Sequence, residues 1–285
     1  MYLTIPEPEK RLEALSRGKI DLAKFVYLKD SLKYRGCGIR FVSLPGLGVT
    51  LLGLNLSRPG PLRDRKVRQA IFWALDPQEI IAKTNLEATA SDQLVAPFVV
   101  GYLERGSAGR PNLEKARKLL AGYGRKVAVD LEVASTVKVR AEVVAAQLAR
   151  AGIEAKVVPR EWTELNQRLE KRQCAFYLFG WSCVTGDASD LLEACLHSRS
   201  NGRYGSANWS GYRRPEVDQL VELASRSLEN KTRIGYMQQA MERALQDLPL
   251  VPLYVRSQTY AYRRGLSFQP RQDGSVMLAE ISFER

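Results

Sequence analysis

The most regular hydrophobic pattern of this chain lies between Asn112 and Phe179. Val127, Val129, Leu131 and Val133 alternate with other residues, as do Ile153, Ala155 and Val157, and a period of two predicts strands. Thr136 to Ala151 reads as a helix with Val139, Val143 and Ala146 on one face and Gly152 stopping it. Trp162 to Lys171 is a further helix, and Asn112 to Ala121 a short one closed by Gly122 and Gly124. Cys174 to Phe179 (CAFYLF) is a continuous apolar run, too short for a buried helix and suited to a strand covered on both faces. The order β-α-β-α-β predicts a parallel sheet with right-handed crossovers.

The flanks are less regular. Arg11 to Gly18 reads as a short helix, followed by a strand-like Lys19 to Leu22. Val42 to Asn55 is apolar and glycine-punctuated, with Val49, Leu51 and Leu54 marking a strand, and the turn Ser57–Pro61 marks a first boundary. A helix opens at Asp64, with Val67, Ala70, Ile71, Ala74 and Leu75 as its core stripe. Asp76-Pro77-Gln78-Glu79 has the order N-cap, N1 proline and capping-box Glu, which starts another helix. Residues 86–111 and 198–214 read as loops. Leu191 to Leu196 continues a helix. Pro215 to Leu228 faces Val217, Leu220, Val221 and Ala224 inward, and Lys231 to Gln246 carries Ile234, Met237, Met241 and Leu245. From Leu250 the chain turns strand-like again, as at its start, which predicts a return to the domain where it began.

The apolar run breaks at Gly180 into Trp181, Ser182, Cys183, Val184, Thr185, Gly186 and Asp187, a loop of small and hydroxyl-bearing residues. Asp187 or Ser189 is placed to cap the helix that follows. In open parallel sheets ligands bind beyond the carboxyl ends of the strands, so Trp181 is a candidate stacking platform. Closing the core is its alternative role.

Composition narrows the class. With 285 residues, 45% hydrophobic and 26% charged, the chain can bury a sizeable core in one or two domains. No stretch approaches the roughly 18 uncharged apolar residues of a membrane span. The residues Met1 to Glu9 do not read as a signal peptide. Four cysteines (Cys37, Cys174, Cys183, Cys195) without paired CxxC spacing, and one histidine, make a zinc site of the usual kind improbable. A Cys183–Cys195 disulfide is compatible with the spacing but not established by it. The net charge of +12 is spread along the chain without a basic run interleaved with aromatics, so solvated charge outweighs a specific nucleic-acid face.

Catalytic constellations are missing: there is no GxxxxGK[ST], GxSxG or HExxH. His197 stands at a helix end, where a structural or capping role outweighs general-base work. Capping and dipole compensation account for Asp187 and Asp190.

Several segments, in order along almost the whole chain, resemble the C-terminal part of family 5 extracellular solute-binding proteins, the peptide- and nickel-binding components of ABC importers. They are Arg11–Asp21, Asn55, Asp64–Ile80 (DRKVRQAIFWALDPQEI), Ala116–Leu120, Gly152-Ile153, Trp162, Gly180-Trp181 with Gly186-Asp187, Asn208, Gly211-Tyr212, Pro215–Asp218 and Asp247–Leu253. The resemblance implies an α/β fold, periplasmic binding protein type II-like, of two lobes that close around a hinge over a ligand. One nearly complete lobe with the β-α-β-α-β sheet is expected here: residues 61–249 as lobe two, with 1–60 and 250–285 as parts of lobe one. The family's N-terminal half, with its signal peptide, is expected to lie outside this sequence.

By the same likeness the chain is a non-catalytic, cofactor-free capturer of a peptide-like or other small solute, periplasmic or extracellular and membrane-associated. Its partners are that ligand and the permease subunits of an ABC transporter. The alternative is the ligand-sensing domain of a transcription regulator with the same fold. The expected ligand contacts are Trp181, Ser182, Cys183, Val184 and Thr185, with Trp162 and Asn208. One position departs from the family. Peptide-binding members carry an Asp that pairs with the ligand's ammonium where Val184 stands here, and Val offers no charge-assisted bond.

Overall fold

The β-α-β-α-β stretch folds as its two periods predict. The computed structural model describes residues 1–104, 106, 109–200 and 202–283. In chain order it contains α1 (Pro8–Ser16), β1 (Leu22–Lys24), β2 (Ile39–Leu54), α2 (Arg65–Ala74), α3 (Pro77–Lys83), β3 (Ala88–Ala90) and α4 (Leu113–Tyr123). Then come β4 (Val127–Ala134), α5 (Lys138–Ala151), β5 (Ile153–Arg160), α6 (Trp162–Glu170), β6 (Phe176–Ser182) and α7 (Ser189–Leu191), which continues as a π-turn over Leu192–Leu196. α8 (Pro215–Arg226), α9 (Asn230–Asp247), β7 (Leu250–Arg263), β8 (Leu266–Ser267) and β9 (Ser282–Phe283) complete it.

The chain divides into two compact units, one of residues 1–46, 87–89 and 256–285, the other of 47–86 and 90–255. In the larger unit β4 lies parallel to both β5 and β6, with Leu131 opposite Val157 on one side and Phe176 on the other. β2 closes the other side of β6 in antiparallel register, from Gly48 opposite Ser182 to Leu54 opposite Phe176. Both faces of β6 are buried: Tyr177 and Phe179 belong to the same core as Val49, Leu51, Met237 and Met241, while Phe176 and Leu178 are buried opposite. Tyr177 needs Gly53 across from it, since a Cβ there would fall 2.1 Å from the Tyr177 ring. The smaller unit buries Leu12, Leu15, Ala23, Val26 and Ala261, and β1 pairs antiparallel with β7 from Leu22↔Tyr262 to Lys24↔Tyr260.

Four expectations are corrected. The inward face of α5 is Ala141, Val144, Gln147, Leu148 and Ala151, not Val139, Val143 and Ala146, and Val139 is 61% exposed. Both stripes have helical spacing, and the broader one wins because it buries more apolar area. Asp76 caps α3 through the Gln78 and Glu79 amides at 2.9 and 3.2 Å, but Glu79 does not reach back. The Asp76 N–H donates to Gln147 Oε1 at 2.9 Å instead, and Gln147 Nε2 donates to Glu79 at 3.0 Å. α4 runs through Gly122 and is closed by Gly124 alone, whose φ of 74° is left-handed. The 86–111 loop contains the short strand β3, while its residues 105, 107 and 108 lie outside the described set, as do 201, 284 and 285.

Candidate ligand-binding site

The carboxyl ends of β4 and β5 are level, Ala134 opposite Arg160, and β6 projects beyond them. The strand does not break at Gly180. Trp181 pairs with Val49 and Ser182 with Gly48, because β2 continues to offer main-chain partners where β4 has ended. Glycine weakens a strand interior, but here the ladder to β2 carries β6 through Gly180, which pairs with Thr50.

Beyond Ser182 the chain makes a tight loop. The Val184 N–H donates to the Ser182 carbonyl and the Gly186 N–H to the Cys183 carbonyl, both at 2.9 Å, with Gly186 at φ 74°. Val100 fastens the loop from behind: its N–H donates to the Gly186 carbonyl, and its carbonyl accepts from Ala188, each at 2.9 Å. Asp187 faces the protein. Its carboxylate accepts from the Ser189 amide at 2.9 Å and from both Arg233 amino groups at 2.7 and 2.8 Å. Burial opposes ionisation of Asp187, but these bonds outweigh it and hold the carboxyl below its usual range.

The loop's side chains therefore divide. Ser182, Val184 and Thr185 are exposed, Val184 by 73%. Trp181 is half-buried against the core, and its indole N–H is buried without a hydrogen-bond partner. The Cys183 side chain is buried, and burial pushes its thiol up to about 12, so only its main chain is open to a ligand. Cys195 is buried too, and Cys183 and Cys195 are free thiols rather than a disulfide.

Trp162 opens α6 just after the end of β5 and is 59% exposed, on the same carboxyl edge. The β4 and β5 loops are joined by Ser135 Oγ, which donates to the Arg160 carbonyl at 2.9 Å. A buried carboxylate supports this corner. Glu132 accepts from Arg168 Nε at 2.7 Å and from Arg160 Nε at 2.5 Å. Burial would raise its pKa, yet the two guanidinium groups bring it below the usual range. The alternation along β4 gave no sign of a buried Glu at this position. Arg233 was likewise missed, since the sequence has no local signal for a partner 46 residues away.

Asn208 does not join this edge. It is 1% exposed, and its amide is satisfied within its own loop. Nδ2 donates to the carbonyls of His197 and Tyr212 at 2.8 Å, and Oδ1 accepts from Ser210 Oγ at 3.0 Å and Tyr212 N at 3.1 Å. The ligand role expected of Asn208 is withdrawn in favour of a structural one. His197 is also internal, donating from Nδ1 to the Ser198 carbonyl at 2.7 Å and stacked on Tyr204 at 4.2 Å between ring centroids.

Chemically, the edge offers an indole face, hydroxyls and an exposed aliphatic tip, with its acidic residue neutralised by Arg233. Among the described residues no group of three or more His, Cys, Asp or Glu is placed to hold a metal ion, and no helix is long and apolar enough to cross a membrane.

Residues 1–203 match the family model described as bacterial extracellular solute-binding proteins, family 5 middle. The chain is 25% identical to heme-binding protein A of Haemophilus influenzae over 260 residues, 87% of this chain and 47% of that protein. It is 29% identical to a dipeptide-binding protein of Escherichia coli over 212 residues, 71% of this chain and 39% of that one. The solved structure of HbpA2 from Haemophilus parasuis superposes with a TM-score of 0.85 at 26% identity, covering 100% of this chain and 58% of that chain. The chain thus spans about half the length of the curated relatives it matches. With this agreement of fold and sequence, its architecture is periplasmic binding protein type II-like, and the chain belongs to the bacterial extracellular solute-binding proteins of family 5.

Proposed function

We propose that this chain is the solute-capturing part of an ABC importer's binding component, working outside the cytoplasmic membrane and delivering to permease subunits. The larger unit, residues 47–86 and 90–255, acts as lobe two, and 1–46, 87–89 and 256–285 contribute to lobe one. Lobe two so drawn takes in the expected 61–249, apart from 87–89, together with the β2 segment paired to β6. Trp181, Ser182, Val184 and Thr185 contact the solute, Cys183 does so through its main chain, and Trp162 flanks them. The role involves no catalysis. One observation carries this reading: the tip of the loop is exposed while its base is pinned by Val100 and by the Asp187–Arg233 pair. A preorganised, outward-facing loop at the carboxyl edge is the arrangement in which open α/β sheets bind ligands. Nothing in the comparisons favours the regulator reading.

The exposed group at position 184 is aliphatic, so a solute ammonium placed there would lose its water without gaining a counter-charge. A peptide-like solute with a blocked or absent amine, or another small apolar-ended solute, fits better than a free-amine peptide. Native mass spectrometry of the purified chain, joined to the rest of the family fold, is the test. A co-purified small solute that is lost on Trp181→Ala supports the proposal. Full retention in Trp181→Ala and in a Ser182/Thr185 double alanine variant would move the site elsewhere.

A further inference from the structure

Near the amino end of β6, three turns are tied together by their polar groups. Asn55 Nδ2 donates to the carbonyls of Arg172 and Cys174 at 3.0 Å, and the Leu56 N–H donates to the Ser210 carbonyl at 2.7 Å. Arg172 Nε donates to the Asn208 carbonyl at 3.2 Å. A Cβ added to Gly211 would lie 2.7 Å from the Ser57 Cβ, so the two segments meet there. Spanning β6 at about 3.3 Å per residue puts this junction roughly 20 Å from the Val184 loop.

The joined segments, residues 55–60, 170–173, 198–200 and 202–214, carry seven Lys and Arg residues and one carboxylate, Glu170. Of the carboxylates that reach them from outside, Asp218 accepts the Ser198 N–H, Asp247 accepts from Tyr212 and Arg214, and Glu216 pairs with Arg214. Glu170 lies 3.6 Å from Arg199 and accepts the Trp209 indole N–H at 3.0 Å. Arg58, Lys171, Arg172 and Arg213 take part in no ion pair among the described residues. Burial, and then the like charges of Arg199 and Arg213, depress the Arg172 guanidinium, which agrees with a crowded cationic cluster.

The face also lacks what other partners need. No exposed large apolar residue lies on these segments, whereas protein interfaces have an apolar centre. Their aromatics, Tyr204, Trp209 and Tyr212, are buried and unavailable for base stacking. What remains is a set of guanidinium groups suited to paired hydrogen bonds with phosphate oxygens. We propose that this face is a docking surface for anionic phospholipid headgroups, separate from the solute edge.

Flotation of the full chain with vesicles containing phosphatidylglycerol, against phosphatidylcholine alone, tests it. Binding is expected only to the anionic vesicles and should weaken as salt is raised. Each basic residue at an anionic surface is worth about fivefold in affinity, so Arg58→Glu with Arg213→Glu should lose roughly twentyfold or more. Lys118→Glu with Arg125→Glu, both exposed, removes the same net charge elsewhere and should change binding by less than about twofold. The neutral pair Arg58→Gln and Arg213→Gln repeats the measurement if charge reversal disturbs folding. Equal losses in the two reversal pairs would reduce the effect to net charge and overturn the proposal. So would no binding to anionic vesicles, or tighter binding to heparin or duplex DNA through the same arginines.

Discussion

Val184 and Asp187 stand three positions apart and face opposite ways. Val184 is the exposed tip, whereas Asp187 is turned into Arg233. Val184→Asp should place an unpaired carboxylate at the tip and shift preference toward free-amine peptides, read by competition between a peptide and its N-acetylated form. Trp181→Ala should cost about 1–3 kcal/mol of solute binding. Its cost in stability should stay below the roughly 3–5 kcal/mol of a core aromatic, because the side chain is only half-buried. Asp187→Asn should destabilise by about 2 kcal/mol at neutral pH, since it leaves a partly buried guanidinium without its charge. The folded-state pKa of Asp187 is depressed, so its contribution is present above the unfolded carboxyl pKa and is lost as pH falls through the folded value. Denaturant midpoints of wild type and variant should therefore converge in strong acid. Asn208 shows why the site was only partly legible. Its place in a family pattern marks it as important, but the pattern looks the same for a residue that binds solute and one that knits a loop. Four hydrogen bonds inside the protein decide between them.

At the scale of elements, strand and helix identities were largely readable because they rest on local periods. The alternation in β4 and β5 and the stripe of α2 each name one structure. What escaped depends on neighbours that sequence order does not supply. The end of β6 moved from Phe179 to Ser182 because β2, more than a hundred residues earlier, extends the ladder. The inward face of α5 changed because two helical stripes competed. Gly53 belongs to this class as well: nothing local reveals that Tyr177 fills its missing side chain. Gly53→Ala should cost about 3 kcal/mol by overpacking, measured by chemical denaturation, with a smaller added loss in a Tyr177→Leu background, where the ring carbons it would strike are gone. Buried thiols are a second check on the same core. Cys174 and Cys183 are pushed up to about 12 by burial, and Cys37 is exposed. A thiol reagent should label Cys37 in the native protein and reach Cys174, Cys183 and Cys195 only on unfolding.

For the whole molecule, the contrast between the units sets an expectation for dynamics. The smaller one buries Leu12, Leu15, Ala23, Val26 and Ala261, while the larger holds the extensive core around β6. Native-state hydrogen exchange should show faster amides in residues 1–46 and 256–283 than in β4, β5 and β6, and uniform slow exchange would contradict it. The smaller unit is also assembled from three separated stretches of chain, and Ala261 packs in the same cluster as Leu12 and Leu15. This has a consequence during synthesis. At about 5–20 residues per second, Leu12 leaves the ribosome roughly 10–50 s before Ala261 can meet it. β4, α5, β5, α6 and β6 of the larger unit follow one another directly in sequence and should gain structure first, leaving α1 without its β7 partner until Ala261 arrives. Protease probing of stalled nascent chains should find β4 to β6 protected while α1 is still cut.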